Sequence, residues 1–121
     1  ISNNPKSKGL RFSKTFGIKK KVFIFKKKSL IEKKILLELK KNEIKLICLA
    51  GFMKILSKKF IKNFKGKILN IHPSLLPNSG KIIIQKKVKI KKNETPDSLA
   101  KKVLIEEHKL YPKSILKIFS P

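Results

Sequence analysis

The sequence has no tryptophan, one tyrosine, one methionine and one cysteine. A lone Cys48 cannot close an internal disulfide, and Cys48, His72 and His108 are too few to hold a structural zinc. A disulfide scaffold and a zinc finger are therefore excluded, and no metal is expected. Long apolar runs are missing as well. Stretches such as Ile82-Ile83-Ile84 fall far short of the ~20 apolar residues that span a bilayer, so no membrane partner is expected. No charged, then apolar, then small-residue pattern of a secretory signal is present, and a cytoplasmic protein is the default expectation. Acids are scarce, with 7 Asp and Glu against 32 Lys and Arg. Arginine is scarcer still: Arg11 is the only one, and the other 31 basic residues are lysine.

What is abundant is positive charge, +25 over 121 residues, with a pI near 10.4. Such a surface attracts phosphate and allows nonspecific nucleic-acid binding, so a Lys-rich basic module is one reading of the chain. The rarity of arginine argues against it, because groove readers and phosphate clamps favour the planar, bidentate guanidinium. Isoleucine occurs 18 times and alanine twice. Lys, Ile, Asn and Phe are the residues that A/T-rich codons specify, so the hypothesis is that base-composition drift produced much of the charge. An ordinary G+C content in the coding DNA would refute it. The length fits a single domain over residues 1–121, and 40% hydrophobic residues suffice for a modest core.

The opening Ile1-Ser2-Asn3-Asn4-Pro5 has no initiator Met and reads as the tail of a strand entering a loop, so a truncated start is expected. Residues 6–16 suit a short helix carrying Leu10, Phe12 and Phe16, with Gly17 to end it. Val22-Phe23-Ile24-Phe25 reads as a strand. Ser29-Leu30-Ile31-Glu32 matches a capping box, followed by Ile31, Ile35, Leu36 and Leu39 at helical spacing. Lys45 to Ala50 is apolar on both faces, as in a buried parallel strand. Ser57 should cap the next helix, with Phe60, Ile61 and Phe64 inward and Gly66 as its stop. Lys67 to Ile71 reads as another strand. Thr95-Pro96-Asp97 combines an N-cap, Pro at N1 and an acid at the positive end of the dipole; Leu99, Val103 and Leu104 give that helix an apolar face, and Pro112 is expected to kink or break it. Strands alternating with helices imply an α/β fold, a Rossmann-like three-layer fragment with a mostly parallel sheet. Ligands then bind beyond the carboxyl ends of the strands.

Two loops stand at those ends. In the first, Gly51 lets the backbone turn, and Phe52, Met53, Ile55 and Leu56 are apolar; composition alone favours core residues closing the top of the sheet. In the second, Asn70 and His72 are two apart and so share a face of the strand. An amide donor beside an imidazole suits acyl transfer: the amide holds a developing oxyanion, and the imidazole moves a proton or lends positive charge. Pro73 and Pro77 would fix the loop that follows. By itself the pair is equally well a strand end with a surface histidine.

The longer string Asn70-Ile71-His72-Pro73-Ser74-Leu75-Leu76-Pro77 resembles the signature of the folate-dependent formyltransferases. With Leu49-Ala50-Gly51-Phe52-Met53-Lys54-Ile55-Leu56-Ser57, it is similar to the branch that formylates glycinamide ribonucleotide, the phosphoribosylglycinamide formyltransferases of purine synthesis. Ile1-Ser2-Asn3-Asn4, Ile83-Ile84-Gln85 and Glu106 to Pro112 resemble that branch too, collinearly over nearly the whole chain. The resemblance implies His72 as catalytic acid and Asn70 as the amide holding the formyl oxygen. It implies Met53, Lys54, Ile55 and Leu56 as the lining for folate, with Lys54 where Arg is usual, and Lys28 as a further folate contact. It implies Glu107 as the acid contacting the substrate ribose; the residues alone would make it a solvated helix position. The implied cosubstrate is 10-formyltetrahydrofolate, the implied acceptor glycinamide ribonucleotide, and no metal enters. The resemblance leaves the oligomeric state open.

Two departures accompany the matches. The family's opening strand and Gly-rich phosphate loop have no counterpart, so the domain is expected to be incomplete. Pro77 runs through Asn78-Ser79-Gly80 straight into Lys81-Ile82-Ile83, where the family has a long segment ending in an Asp-x-Gly loop. Neutral Asn78 is the nearest stand-in for the Asp that pairs with the histidine. Low activity of this chain, or a role as inactive partner of an intact enzyme, would follow.

Overall fold

Leu46-Ile47-Cys48-Leu49 is apolar at every position and forms β1 (Leu46–Leu49). Its parallel neighbour is β2 (Lys67–Asn70), and the two are the strands of the sheet among the described residues, which are 1–24, 26–72 and 81–120 of this computed structural model. The expectations placed on Phe25, Pro73, Pro77 and Asn78 lie outside the described residues. In β1 the side chains are half-buried and Cys48 is exposed, where a continuous apolar run led us to expect full burial.

The contacts group the chain into two compact units. The first comprises Ile1–Ile47 and Met53–Lys67. It holds α1 (Lys8–Thr15), α2 (Lys28–Lys41) and α3 (Lys58–Asn63). Its core is Ile35 and Leu39 of α2 with Phe60 and Phe64 at α3, and these helices touch. Ser57 caps α3 as expected, its hydroxyl accepting from the Phe60 N–H at 3.0 Å. The capping box expected at Ser29 does not form. Lys27 holds the N-cap position without a side-chain cap, Ser29 lies inside α2, and Glu32 turns instead to Ser57. A buried carboxylate gains more from two donors on another helix than from one solvated N–H of its own.

Of the strand expected at Val22–Phe25, the described residues show one parallel bridge between Ser2 and Val22, held by Ser2 N–H to Lys21 O (3.0 Å) and Phe23 N–H to Ser2 O (2.9 Å). Phe12 in α1 and Phe16 at its C-cap remain exposed. Gly66 does not end α3, which stops at Asn63 with Phe64 as C-cap. Gly66 serves close approach instead: a Cβ there would meet the Lys45 carbonyl oxygen and, at 2.6 Å, Cζ of the Phe64 ring. That same carbonyl accepts from the Lys67 N–H at 2.8 Å, at the entry to β2.

The second unit comprises Cys48–Phe52 and Ile68–Pro121. It is built on α4 (Pro96–Phe119). Thr95 caps α4 by accepting from the Ser98 N–H at 3.2 Å, with Pro96 and Asp97 in the first turn, as the sequence predicts. Pro112 does not end the helix; α4 runs on to Phe119. Proline removes one i→i−4 bond, but the residues flanking it are anchored, Tyr111 to strand carbonyls and Ser114 to the Leu110 carbonyl at 2.9 Å.

Candidate functional site

In the second unit, Asn70 is the last residue of β2 and His72 follows two positions on; both are exposed, while Leu69 before them is buried. The alternation places the amide on the face opposite the core-facing leucine. The strand end is held from α4. Tyr111 Oη donates to the Leu49 carbonyl at 2.8 Å and reaches the Leu69 carbonyl at 3.3 Å. Burial, more than its neighbour Cys48, pushes the Tyr111 hydroxyl well above the usual phenol range, so it stays protonated and remains a donor.

Glu107 lies one helical turn before Tyr111, on the same face of α4. It is half-buried and, among the described residues, makes no ion pair or side-chain hydrogen bond. Its neighbour Glu106 differs: it pairs with Lys86 at 2.5 Å and Lys109 at 3.1 Å, and first Lys86, then Lys109, holds its carboxyl below the usual range. The structure thus separates two adjacent acids that the sequence leaves alike. Glu106 is neutralised in place, and Glu107 keeps its acceptor oxygens available. His108 is exposed.

In the first unit, the loop segment expected to be core is not. Met53 is 92% and Ile55 83% exposed, Lys54 is exposed and Leu56 half-buried. Gly51, in the second unit, has φ of +61°, the left-handed turn that lets the chain leave β1. Lys28, the first residue of α2, is exposed.

The second unit also carries an open groove of about 360 Å³ lined by Lys86, Lys87, Lys89, Lys91, Lys102 and Glu106, among others. Two of those lysines are already paired, Lys86 with Glu106 and Lys102 with Glu94. Among the described residues, no three His, Cys, Asp or Glu side chains cluster as metal ligands, and no helix is long and apolar enough to cross a membrane. Sequence reasoning did not single out Tyr111, although it is the only tyrosine and stands four residues after Glu107.

Comparison with known proteins places these observations. Residues 1–79 match the family described as Formyl transferase. The chain is 32% identical over 148 residues to the trifunctional purine biosynthetic protein adenosine-3 of Homo sapiens, an alignment covering 95% of this chain and 15% of that protein. It is 30% identical over 108 residues to the phosphoribosylglycinamide formyltransferase of Bacillus subtilis (strain 168), covering 64% of this chain and 55% of that one. The chain thus spans less than two thirds of the length of either relative. Its fold is that of the phosphoribosylglycinamide formyltransferase from Streptococcus pneumoniae TIGR4, with a TM-score of 0.89 at 24% identity over 98% of this chain and 84% of that one. The fold is accordingly α/β and Rossmann-like. These matches account for the chain without a nucleic-acid module. The chain belongs to the formyl transferase family.

Proposed function

We propose that the chain carries the reacting centre of a phosphoribosylglycinamide formyltransferase, moving a formyl group from 10-formyltetrahydrofolate to the amine of glycinamide ribonucleotide. The observation that carries this reading is the exposed Asn70-x-His72 pair at the carboxyl end of a parallel strand, in a chain of this family. The relatives' names support the substrate class.

In the reaction the amine nitrogen attacks the formyl carbon, and a new C–N bond forms as the carbonyl oxygen takes up negative charge. The Asn70 amide donates to that oxygen, and a ring N–H of His72 donates beside it. Collapse of the tetrahedral species breaks the bond to the folate nitrogen. That nitrogen leaves with a proton and the amine gives one up, so the products are tetrahydrofolate and the formylated amide. Glu107 is assigned to the ribose hydroxyls, for which its unengaged carboxylate is suited. The exposed Met53 and Ile55, with Lys54, Leu56 and Lys28, are assigned to the folate.

Both sequence alignments are longer than the stretch of chain they cover, so this chain has a gap against each relative. That supports the reading that a segment of the family is absent between Pro77 and Lys81. The test is formylation of glycinamide ribonucleotide by the purified chain, with Asn70→Ala and His72→Ala beside it. The expected result is slow turnover, lowered a further ~10²–10³-fold by either substitution. Turnover matching the Bacillus subtilis enzyme would refute the need for the absent segment, and turnover unchanged by both substitutions would refute the assignment of the centre.

A further inference from the structure

We infer that Tyr111 is a positioning residue for this centre: by bridging the Leu49 and Leu69 carbonyls, its hydroxyl fixes α4, which carries Glu107, against the strand end that carries Asn70 and His72. The inference rests on the formyl-transfer reading for its meaning, but its geometry lies wholly within the second unit. Leu49 is the last residue of β1, and Leu69 immediately precedes Asn70 at the end of β2. One phenol therefore meets the ends of both strands, at 2.8 and 3.3 Å. It does so across 62 and 42 residues of sequence, so the contact is tertiary and joins elements with no local reason to meet.

The donor sits in the right place on α4. Glu107 is one turn away on the same face, so the distance from its carboxylate to the Asn70–His72 strand end depends on how α4 is held at Tyr111. The next residue, Pro112, supplies no N–H to the helix, which makes this the turn where α4 has least hydrogen bonding of its own. Phenylalanine would fill the same space but leave two carbonyls without that donor and the helix free to shift. A tyrosine that served only to fill space would not need its hydroxyl. Here the hydroxyl is the atom that makes both contacts.

The test is Tyr111→Phe in the full chain. Side-chain NMR signals of the Asn70 amide and the His72 ring are read without substrate, and formyl-transfer kinetics are read where turnover is measurable. The expected result is movement of both sets of signals and a rise of about 3- to 10-fold in KM for glycinamide ribonucleotide, larger than any change in KM for the folate. Unmoved Asn70 and His72 signals in a folded Tyr111→Phe chain would overturn the inference, whatever the kinetics. Moved signals in a chain whose formyl transfer ignores Asn70→Ala would support the geometry and overturn the formyl-transfer reading instead. Should Tyr111→Phe fail to fold, 4-aminophenylalanine at this single tyrosine supplies an N–H donor in place of the hydroxyl: a folded chain whose Asn70 and His72 signals stay close to wild type supports the inference, and a chain that still fails to fold overturns it.

Discussion

Glu32 of α2 accepts hydrogen bonds from both the backbone N–H (2.9 Å) and the hydroxyl of Ser57, the N-cap of α3. Glu32 is 5% exposed, so a buried carboxylate and a helix cap satisfy one another. Ser57→Ala removes the cap, worth ~1 kcal/mol, and leaves the carboxylate short of a donor, worth ~1–3 kcal/mol. The two losses share one hydroxyl, so the expected destabilisation is about 2–3 kcal/mol, read as a fall in urea midpoint at constant m-value. A change below ~0.5 kcal/mol, the level of an ordinary surface substitution, would show that the contact contributes nothing.

Gly66 is the second sensitive point in the same unit. Alanine there would press its Cβ on the Lys45 carbonyl oxygen and the Phe64 ring, and the carbonyl is already committed to the Lys67 N–H. Backbone cannot rotate out of the way as a side-chain tip can. Gly66→Ala should destabilise by ~1–3 kcal/mol, the usual cost of overpacking. Thermal melting reads the loss, whereas Gly9→Ala, inside α1 where a Cβ meets nothing within 4 Å, should hold or raise the melting temperature because alanine favours the helix.

The elements that could be read in advance are those whose signals are local. The Ser57 cap and the Thr95-Pro96-Asp97 start act within one turn, and both stand in the structure. Ser29 and Glu32 carry an equally good local pattern, yet Glu32 bonds 25 residues away, because a tertiary partner outbid the local one. Pro112 was expected to kink or break α4; the helix is not broken there, and anchors at Tyr111 and Ser114 offset the lost bond. Asn70 closes β2 and His72 lies just beyond it, both exposed, so the sequence placed the pair at a strand end although the strand itself stops before the histidine. Glu107 was not separable from Glu106 without knowing where Lys86 lies, 20 residues upstream in sequence and 2.5 Å from Glu106 in space. Met53 and Ile55 looked like core by composition, and only the fold shows them exposed.

Acid stability should depend on Glu94. The Lys102 ammonium first, then the Ser98 hydroxyl, holds its carboxyl down to about 2, against an ordinary 4.5. A carboxylate whose folded pKa is depressed adds stability that is fully present above its unfolded pKa and is lost as pH falls through the folded value. The window is therefore from about 4.5 down to about 2. Wild type and Glu94→Gln, melted at a series of pH values, should differ most above pH 4.5 and converge toward pH 2. A gap that stays constant across that window would mean that the ion pair makes no net contribution.

Pro112 offers a stabilising substitution. It is exposed, lies inside a 24-residue helix and cannot donate to the carbonyl four residues earlier, that of His108. Relative to alanine, proline in a helix interior costs about 3 kcal/mol, partly offset because its ring also restricts the unfolded chain. Pro112→Ala should therefore raise stability by ~1–3 kcal/mol and slow amide exchange in the turn around Tyr111. The gain depends on α4 already running through this position without strain elsewhere. If the Ser114-to-Leu110 bond (2.9 Å) and the Tyr111 bridge hold a geometry that only proline permits, the same substitution would lower the melting temperature, and the helix would have to be regarded as shaped by Pro112 instead of interrupted by it.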